Sequence, residues 1–190
     1  MSWHRTVRDA IKARIESAGA VGNVYTFERF DKDRRAMEAF FTLQDGSILA
    51  WNIRRVRWTE REATPGHSIN IDTVWDIRAY KGLTDASSSE LDFDDMLDAV
   101  AAAFRAETWL CNGTKLLNRD GQVGLQLMSS EPVTLVNALA HGARLELATQ
   151  SYIEIPDNTV IGPLTDAKVG IAPNIGPAHI GDYKDIANAG

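Results

Sequence analysis

The sequence is poor in cysteine, with Cys111 as the single thiol among 190 residues. An intrachain disulfide is therefore excluded, and a reducing compartment fits the chain best. No run of about 18 apolar residues occurs, so we expect no transmembrane helix. The start of the chain lacks the apolar core of a secretory signal peptide, which favours folding in the cytoplasm.

A basic excess is also missing, because 20 Lys and Arg residues face 26 Asp and Glu residues and the formal net charge is −6. This balance argues against a general nucleic-acid binder. It is compatible with a protein that lets DNA pass, since an acidic wall repels phosphate. The hydrophobic fraction of 44% is ordinary for a soluble globular protein, and the length suits one domain with an appendage.

Signatures of catalysis and metal binding are absent from the sequence. The four histidines are scattered, and none has a His or Cys at metal-ligand spacing. The glycines form neither a phosphate-binding loop nor a dinucleotide fingerprint. An acidic run does not follow the calcium-loop pattern, and it is explained better by stabilisation of a helix N-terminus: Asp92, Asp94, Asp95 and Asp98. We therefore predict no catalytic residue, no metal and no cofactor.

Two segments have the apolar spacing of helices that pack on a sheet. The first covers Trp3–Ala18, with an apolar stripe every three or four residues, and Gly19 and Gly22 supply its stop. The second follows Ser89, where Ser89 and Asp92 have capping-box spacing. Its buried stripe consists of Phe93, Leu97, Val100 and Phe104.

Alternating apolar residues predict several strands and a long hairpin. Ile69–Ala79 alternates cleanly and should pair with Trp51–Glu62 in a hairpin that projects beyond the domain. The apolar phase changes after Ile53, which predicts a β-bulge near Arg54-Arg55. Further predicted strands are Val24–Phe30, the two arms Phe40–Leu43 and Ile48–Trp58 around Asp45-Gly46, and Val123–Met128, Pro132–Leu139 and Ala143–Ile155, with a turn at Ala140–Gly142.

Beyond residue 156 the sequence loses helical and strand periods and is interrupted by Pro and Gly. It nevertheless keeps apolar residues, among them Ile161, Leu164, Ile171 and Ile175. We predict an extended arm that contacts a neighbouring subunit through these residues; the alternative is a disordered terminus. The predicted organisation is a domain over 1–156 and an arm over 157–190. The predicted fold class is α+β, with a mainly antiparallel sheet, a long projecting hairpin, two packing helices and an extended C-terminal arm.

Opposite charges are concentrated on separate predicted elements. Four arginines lie on one hairpin arm: Arg54, Arg55, Arg57 and Arg61. Three aspartates lie at the start of the second helix: Asp92, Asp94 and Asp95. This arrangement favours a head-to-tail contact between identical subunits. The alternative is that both sets are solvated faces.

The segments WDIRAYKGL, at 75–83, and FDDMLDAVAAAFR, at 93–105, carry a family resemblance. In the order of their elements, residues 1–155 resemble the tail-terminator and neck proteins of long-tailed bacteriophages. The resemblance implies a homo-oligomeric ring, a hexamer in that family, at the head-proximal end of the tail. Such a ring ends polymerisation of the tail tube, binds the tail tube protein and the head-side connector, and lets genomic DNA through without specific binding.

The resemblance also implies a place in the virion after synthesis in the bacterial host's cytoplasm, with no membrane partner. A minimal terminator does not need the segment 157–190, which is a departure from the family pattern. Two alternatives stay open. One is a head-tail neck or stopper protein, and the other is a nucleic-acid-binding module that uses the arginine hairpin with Trp51 and Trp58.

Overall fold

The computed structural model describes residues 2–28, 34–65, 67–84, 88–118, 124–135, 138–155, 168–169 and 184–185. The chain divides into two compact units, Met1–Ile155 and Pro156–Gly190. The elements of the first unit, in chain order, are α1 (Trp3–Glu16), β1 (Asn23–Tyr25), α2 (Arg34–Phe41), β2 (Leu49–Thr64), β3 (Ser68–Gly82), α3 (Ser89–Arg105), β4 (Trp109–Cys111), β5 (Thr114–Leu116), β6 (Leu125–Leu135) and β7 (Ala138–Glu154). In the second unit the described residues form β8 (Lys168–Val169) and β9 (Lys184–Asp185), which pair antiparallel.

The first unit is an α+β structure around one sheet, which confirms the predicted class and its mainly antiparallel pairing. The strands follow the order β1-β2-β3-β7, and β7 continues to β5 and β4. The first part of β7 pairs with β6 and its later part with β5, so this long strand has two neighbours along one edge. The pairing of β1 with β2 is parallel, whereas the other pairings among the described strands are antiparallel.

The core lies between one face of the sheet and the helices α1 and α3. The predicted helix stripes are buried as expected: Val7, Ile11 and Ile15 of α1, and Phe93, Leu97, Val100 and Phe104 of α3. They pack with Trp51, Trp75 and Leu147 of the sheet. Each fully buried side chain of this size contributes roughly 1.5–3 kcal/mol through loss of apolar surface to water. The two core tryptophans keep their polar atoms satisfied, because each indole N–H donates a hydrogen bond of 2.9 Å, to the Val21 carbonyl and to Thr149 Oγ1 respectively.

The predicted β-bulge is present, one residue beyond the expected site. The register passes from Arg55 opposite Trp75 to Arg57 opposite Val74, so Val56 is the additional residue. The bulge restores the phase of the strand, since Trp58 then lies opposite Thr73, on the same face as Trp75. Trp58 remains 51% exposed.

The strands β2 and β3 pair from Leu49 opposite Lys81 to Thr64 opposite Ser68. β7 accompanies β3 along the same length, as far as Ser68 opposite Glu154. The outer part of β3 is therefore flanked on both sides rather than forming one arm of a free two-stranded ribbon. Projection of the hairpin beyond the domain stays a prediction, and the arm residues Ile161, Leu164, Ile171 and Ile175 lie outside the described residues.

Several local predictions were wrong. Phe40 and Phe41 end α2 instead of starting a strand. The predicted turn at Asp45-Gly46 is nevertheless present, since Thr42 and Ile48 form an antiparallel bridge around it. The capping box at Ser89 is not formed, because the N-cap is Ser88 and no side chain caps the helix. The predicted turn at Ala140–Gly142 lies within β7, and β1 covers only Asn23–Tyr25. No sequence pattern predicted β4 and β5, which have three residues each.

Candidate interaction surfaces

The four predicted interface arginines of β2 do not lie on one face. Strand alternation and the bulge place Arg55 on the helix-bearing face, opposite Trp75, and place the other three on the open face. Arg61 forms an ion pair with Asp72, and Arg54 lies 3.3 Å from Glu28. Two of the four guanidinium groups are therefore neutralised within the chain and are less available to a partner.

A buried aspartate organises the open face of the sheet. Asp76 is 3% exposed, and its Oδ1 accepts a 2.6 Å hydrogen bond from Arg144 Nε. Its Oδ2 accepts a 3.3 Å bond from Arg78 Nε and lies 3.6 Å from Arg54. Glu28 joins the same network through Arg54 and Arg78. Burial alone would lower the pKa of Arg78, but hydrogen bonding to Tyr80 and the nearby Asp76 and Glu28 raise it above its ordinary value. This network therefore connects three neighbouring strands, β2, β3 and β7, and stabilises their pairing.

A different arrangement occurs on the helix-bearing face, where Arg55 lies among aromatic rings. Its guanidinium carbon is 4.3 Å from the ring centre of Trp58 and 5.8 Å from that of Trp3. Cation–π contacts of this kind are worth about 0.5–1 kcal/mol when exposed and more when water is excluded. The bulge makes the contact possible, because it brings Trp58 back to the face that carries α1.

The first turns of α1 extend this group into a basic surface. His4, Arg5, Arg8 and Phe27 contribute to the lining of a surface cavity of about 490 Å³, together with Asp9 and Thr26. Burial lowers the pKa of His4, and the positive charges of Arg55, Arg8 and Arg5 lower it further. Burial also lowers the pKa of Arg8, with a contribution from Arg55. We call Trp3, His4, Arg5, Arg8, Arg55 and Trp58 the basic–aromatic cluster.

In the part of the chain that the structure describes, the arginines of the basic–aromatic cluster form no ion pair with a carboxylate. Arg8 donates a 2.6 Å hydrogen bond to the Thr26 carbonyl, but its buried Nε has no hydrogen-bond partner. Within the described ranges, no carboxylate lies within ion-pair distance of Arg5, Arg8 or Arg55. Sequence analysis did not select Trp3, Arg5 and Arg8, since they are distant in sequence from β2.

The start of α3 carries the opposite charge. The predicted residues Asp92, Asp94 and Asp95 are all exposed on this helix, with Glu90 and Asp98 beside them. Asp92 lies 3.5 Å from Lys81, and the other four have no ion pair among the described residues. Leu91 is 64% exposed in the middle of these carboxylates. We call Glu90, Leu91, Asp92, Asp94, Asp95 and Asp98 the acidic face of α3.

A buried serine and a histidine lie within hydrogen-bond distance between α3 and β7. Ser89 Oγ lies 3.0 Å from His141 Nε2, a pair that sequence analysis missed. The hydroxyl also accepts the Thr84 N–H at 3.2 Å, and Ser89 is only 6% exposed. His141 stacks on Phe93 at 5.7 Å, so both side chains help to seat α3 on β7. Within the same described residues, no group of three or more possible metal ligands occurs and no helix is long and apolar enough to span a membrane.

Comparison with known proteins gives no family assignment. The chain matches no protein-family model, and no curated protein has a significantly similar sequence. A functional hypothesis therefore depends on the surfaces of the first unit.

Proposed function

We propose that the protein is a noncatalytic structural subunit of a phage virion. In this proposal it forms a ring at the head-proximal end of the tail, ends polymerisation of the tail tube and joins the tail to the head-side connector. The resemblance of residues 75–83 and 93–105 to tail-terminator proteins supports this assignment. The projecting hairpin and the C-terminal arm are part of the same proposal, as contacts between neighbouring subunits.

The outer half of β2 is the observation that carries the proposal. Beyond Asn52, no strand of the described structure pairs with the free side of β2, which leaves a long sheet edge open. Val56 and Trp58 on this edge are 49% and 51% exposed. Open edges and exposed large apolar side chains favour association, and natural proteins usually cover them. Such a surface is better suited to binding another protein than to converting a small substrate.

Native mass spectrometry and electron microscopy of the purified full chain test this proposal. We expect a closed oligomer with a central channel. When added to the tail-tube subunit encoded in the same genome, the ring should stop tube growth at one end. A monomer that leaves tube length unchanged at micromolar concentrations would refute the assignment.

One observation favours a second candidate, a nucleic-acid-binding module. Arg55, Trp3 and Trp58 combine a cation with aromatic rings, which is a composition typical of single-strand binding surfaces. The net charge of −6 opposes it, and the ring of Trp58 is already occupied by a guanidinium group. A salt-dependent shift of single-stranded DNA at physiological ionic strength would support this candidate.

A further inference from the structure

The basic–aromatic cluster has more positive charge than the described residues around it neutralise. The charges of Arg5, Arg8 and Arg55 act together on His4, and the buried Nε of Arg8 has no acceptor. Asp9 is the one carboxylate among the described residues that line the adjoining cavity. An anionic group placed on this surface would relieve the repulsion between the cations and could accept hydrogen bonds from Arg5 and Arg55.

The acidic face of α3 has the complementary composition. It places Leu91, 64% exposed, among carboxylates, whereas the basic–aromatic cluster places half-exposed Trp58 beside Arg55. In both cases an apolar side chain is surrounded by charges, which is the usual composition of an interface centre with a charged rim. Within the described chain the two surfaces form no ion pair with each other, so each is available to a second molecule.

We infer that the basic–aromatic cluster of one copy binds the acidic face of α3 of the next copy, head to tail. A copy that uses one surface toward each of its two neighbours makes a heterologous contact, which closes into a ring when its rotation returns to the first copy. This inference rests on the proposed function, because that function supplies the ring. Of the four interface arginines predicted on β2, it keeps Arg55. In place of Arg54, Arg57 and Arg61, the structure supplies Arg5 and Arg8.

Charge reversal on each surface tests the inference. The first variant carries Arg5→Glu and Arg55→Glu, and the second carries Asp94→Arg and Asp95→Arg. We expect each variant alone to lose self-association at 0.15 M salt by about 30-fold or more, as found for charge pairs at the centre of an interface. Mixing the two should restore an oligomer in which they alternate, because each reversed surface then meets its complement.

Lys115→Glu is the matched control, since Lys115 is exposed on β5, which carries neither charged surface and does not form the open edge of β2. It changes the net charge in the same direction and should leave the oligomer intact. Circular dichroism and thermal unfolding of every variant separate loss of association from loss of folding. Recovery in the mixture provides the same control independently, because unfolded chains would not reassemble.

The outcomes separate this inference from the proposed function. If the wild-type ring persists in both variants, the contact is wrong and the ring function stands. If the mixture restores association but the assembly has no effect on tail tubes, the contact is right and the function is wrong. If the wild-type chain is monomeric and the cluster instead retains a single-stranded oligonucleotide, lost in the first variant, the inference is overturned in favour of the second candidate.

Discussion

Replacing Asp76 with Asn keeps the shape of this side chain and removes its charge. The carboxylate is 3% exposed and accepts hydrogen bonds from Arg144 at 2.6 Å and Arg78 at 3.3 Å. Arg54 lies 3.6 Å away, so three cations surround one buried anion. After the substitution, the carboxylate no longer offsets the repulsion between these cations. The amide N–H₂ group is itself a hydrogen-bond donor, so it cannot accept hydrogen bonds from the arginines.

The magnitude follows from burial. Removing one partner of a fully buried ion pair costs roughly 3–5 kcal/mol. The three arginine side chains are 36–52% exposed, so water screens part of their repulsion once the carboxylate is gone. We therefore expect Asp76→Asn to lower the free energy of unfolding by about 2–3 kcal/mol. For a chain of this size that corresponds to roughly 4–12 °C in Tm.

Urea unfolding monitored by tryptophan fluorescence measures this change. The midpoint should fall while the slope m stays constant, because the surface exposed on unfolding is unchanged. Glu60→Gln, at an exposed site on β2, is the control and should stay within about 0.5 kcal/mol of the wild type. If Asp76→Asn is as stable as this control, the network does not hold the strands together and the reasoning fails.

Three further predictions concern the first turns and the end of α1. The pKa of His4 lies below its ordinary value of 6.5, so the free energy of unfolding should decrease as the pH falls from the unfolded pKa to the folded pKa. Arg55→Gln should raise the His4 pKa in an NMR titration, because it removes a nearby positive charge. An unchanged pKa would contradict the proximity of the two groups. Gly22→Ala should destabilise the chain by about 2–4 kcal/mol in thermal unfolding, since φ is +78° and the new Cβ would lie 2.6 Å from Leu49 Cγ. Gly19→Ala is the control, because Gly19 has φ +117° but open space around it, and it should cost only about 1–2 kcal/mol. Equal losses of stability in the two variants would exclude the clash with Leu49. Arg14 donates hydrogen bonds to the Ala103, Glu107 and Trp109 carbonyls. Arg14→Gln should therefore lower the free energy of unfolding by about 1.5–3 kcal/mol and speed amide hydrogen exchange in the last turn of α3. Unchanged exchange in that turn would refute the capping role of Arg14.

Local periodicity was sufficient to predict the elements whose burial repeats regularly. Val7, Ile11 and Ile15 recur every four residues, and a helix is the backbone conformation that places them on one side. The same logic located the buried face of β3 and the bulge in β2, because a strand that changes phase must gain a residue to keep its face. Short elements gave no such signal: β4 and β5 have three residues each, fewer than one clear repeat. Phe40 and Phe41 were assigned to a strand because they precede the hairpin signal at Asp45-Gly46, but α2 extends to Phe41 and Thr42 pairs across the turn.

The tertiary structure alone decided which charges are free. By sequence, the arginines of β2 form one group, but the register with β3 places Asp76 and Asp72 beside Arg54 and Arg61 and neutralises them. Helix packing brings Trp3 of α1 to Arg55, more than fifty positions away, and creates a basic surface that no local pattern contains. Sequence thus determined the faces of single elements, since these depend on spacing along one backbone. Charge compensation depends on distances between elements, and those are fixed only when the sheet is paired and the helices are packed.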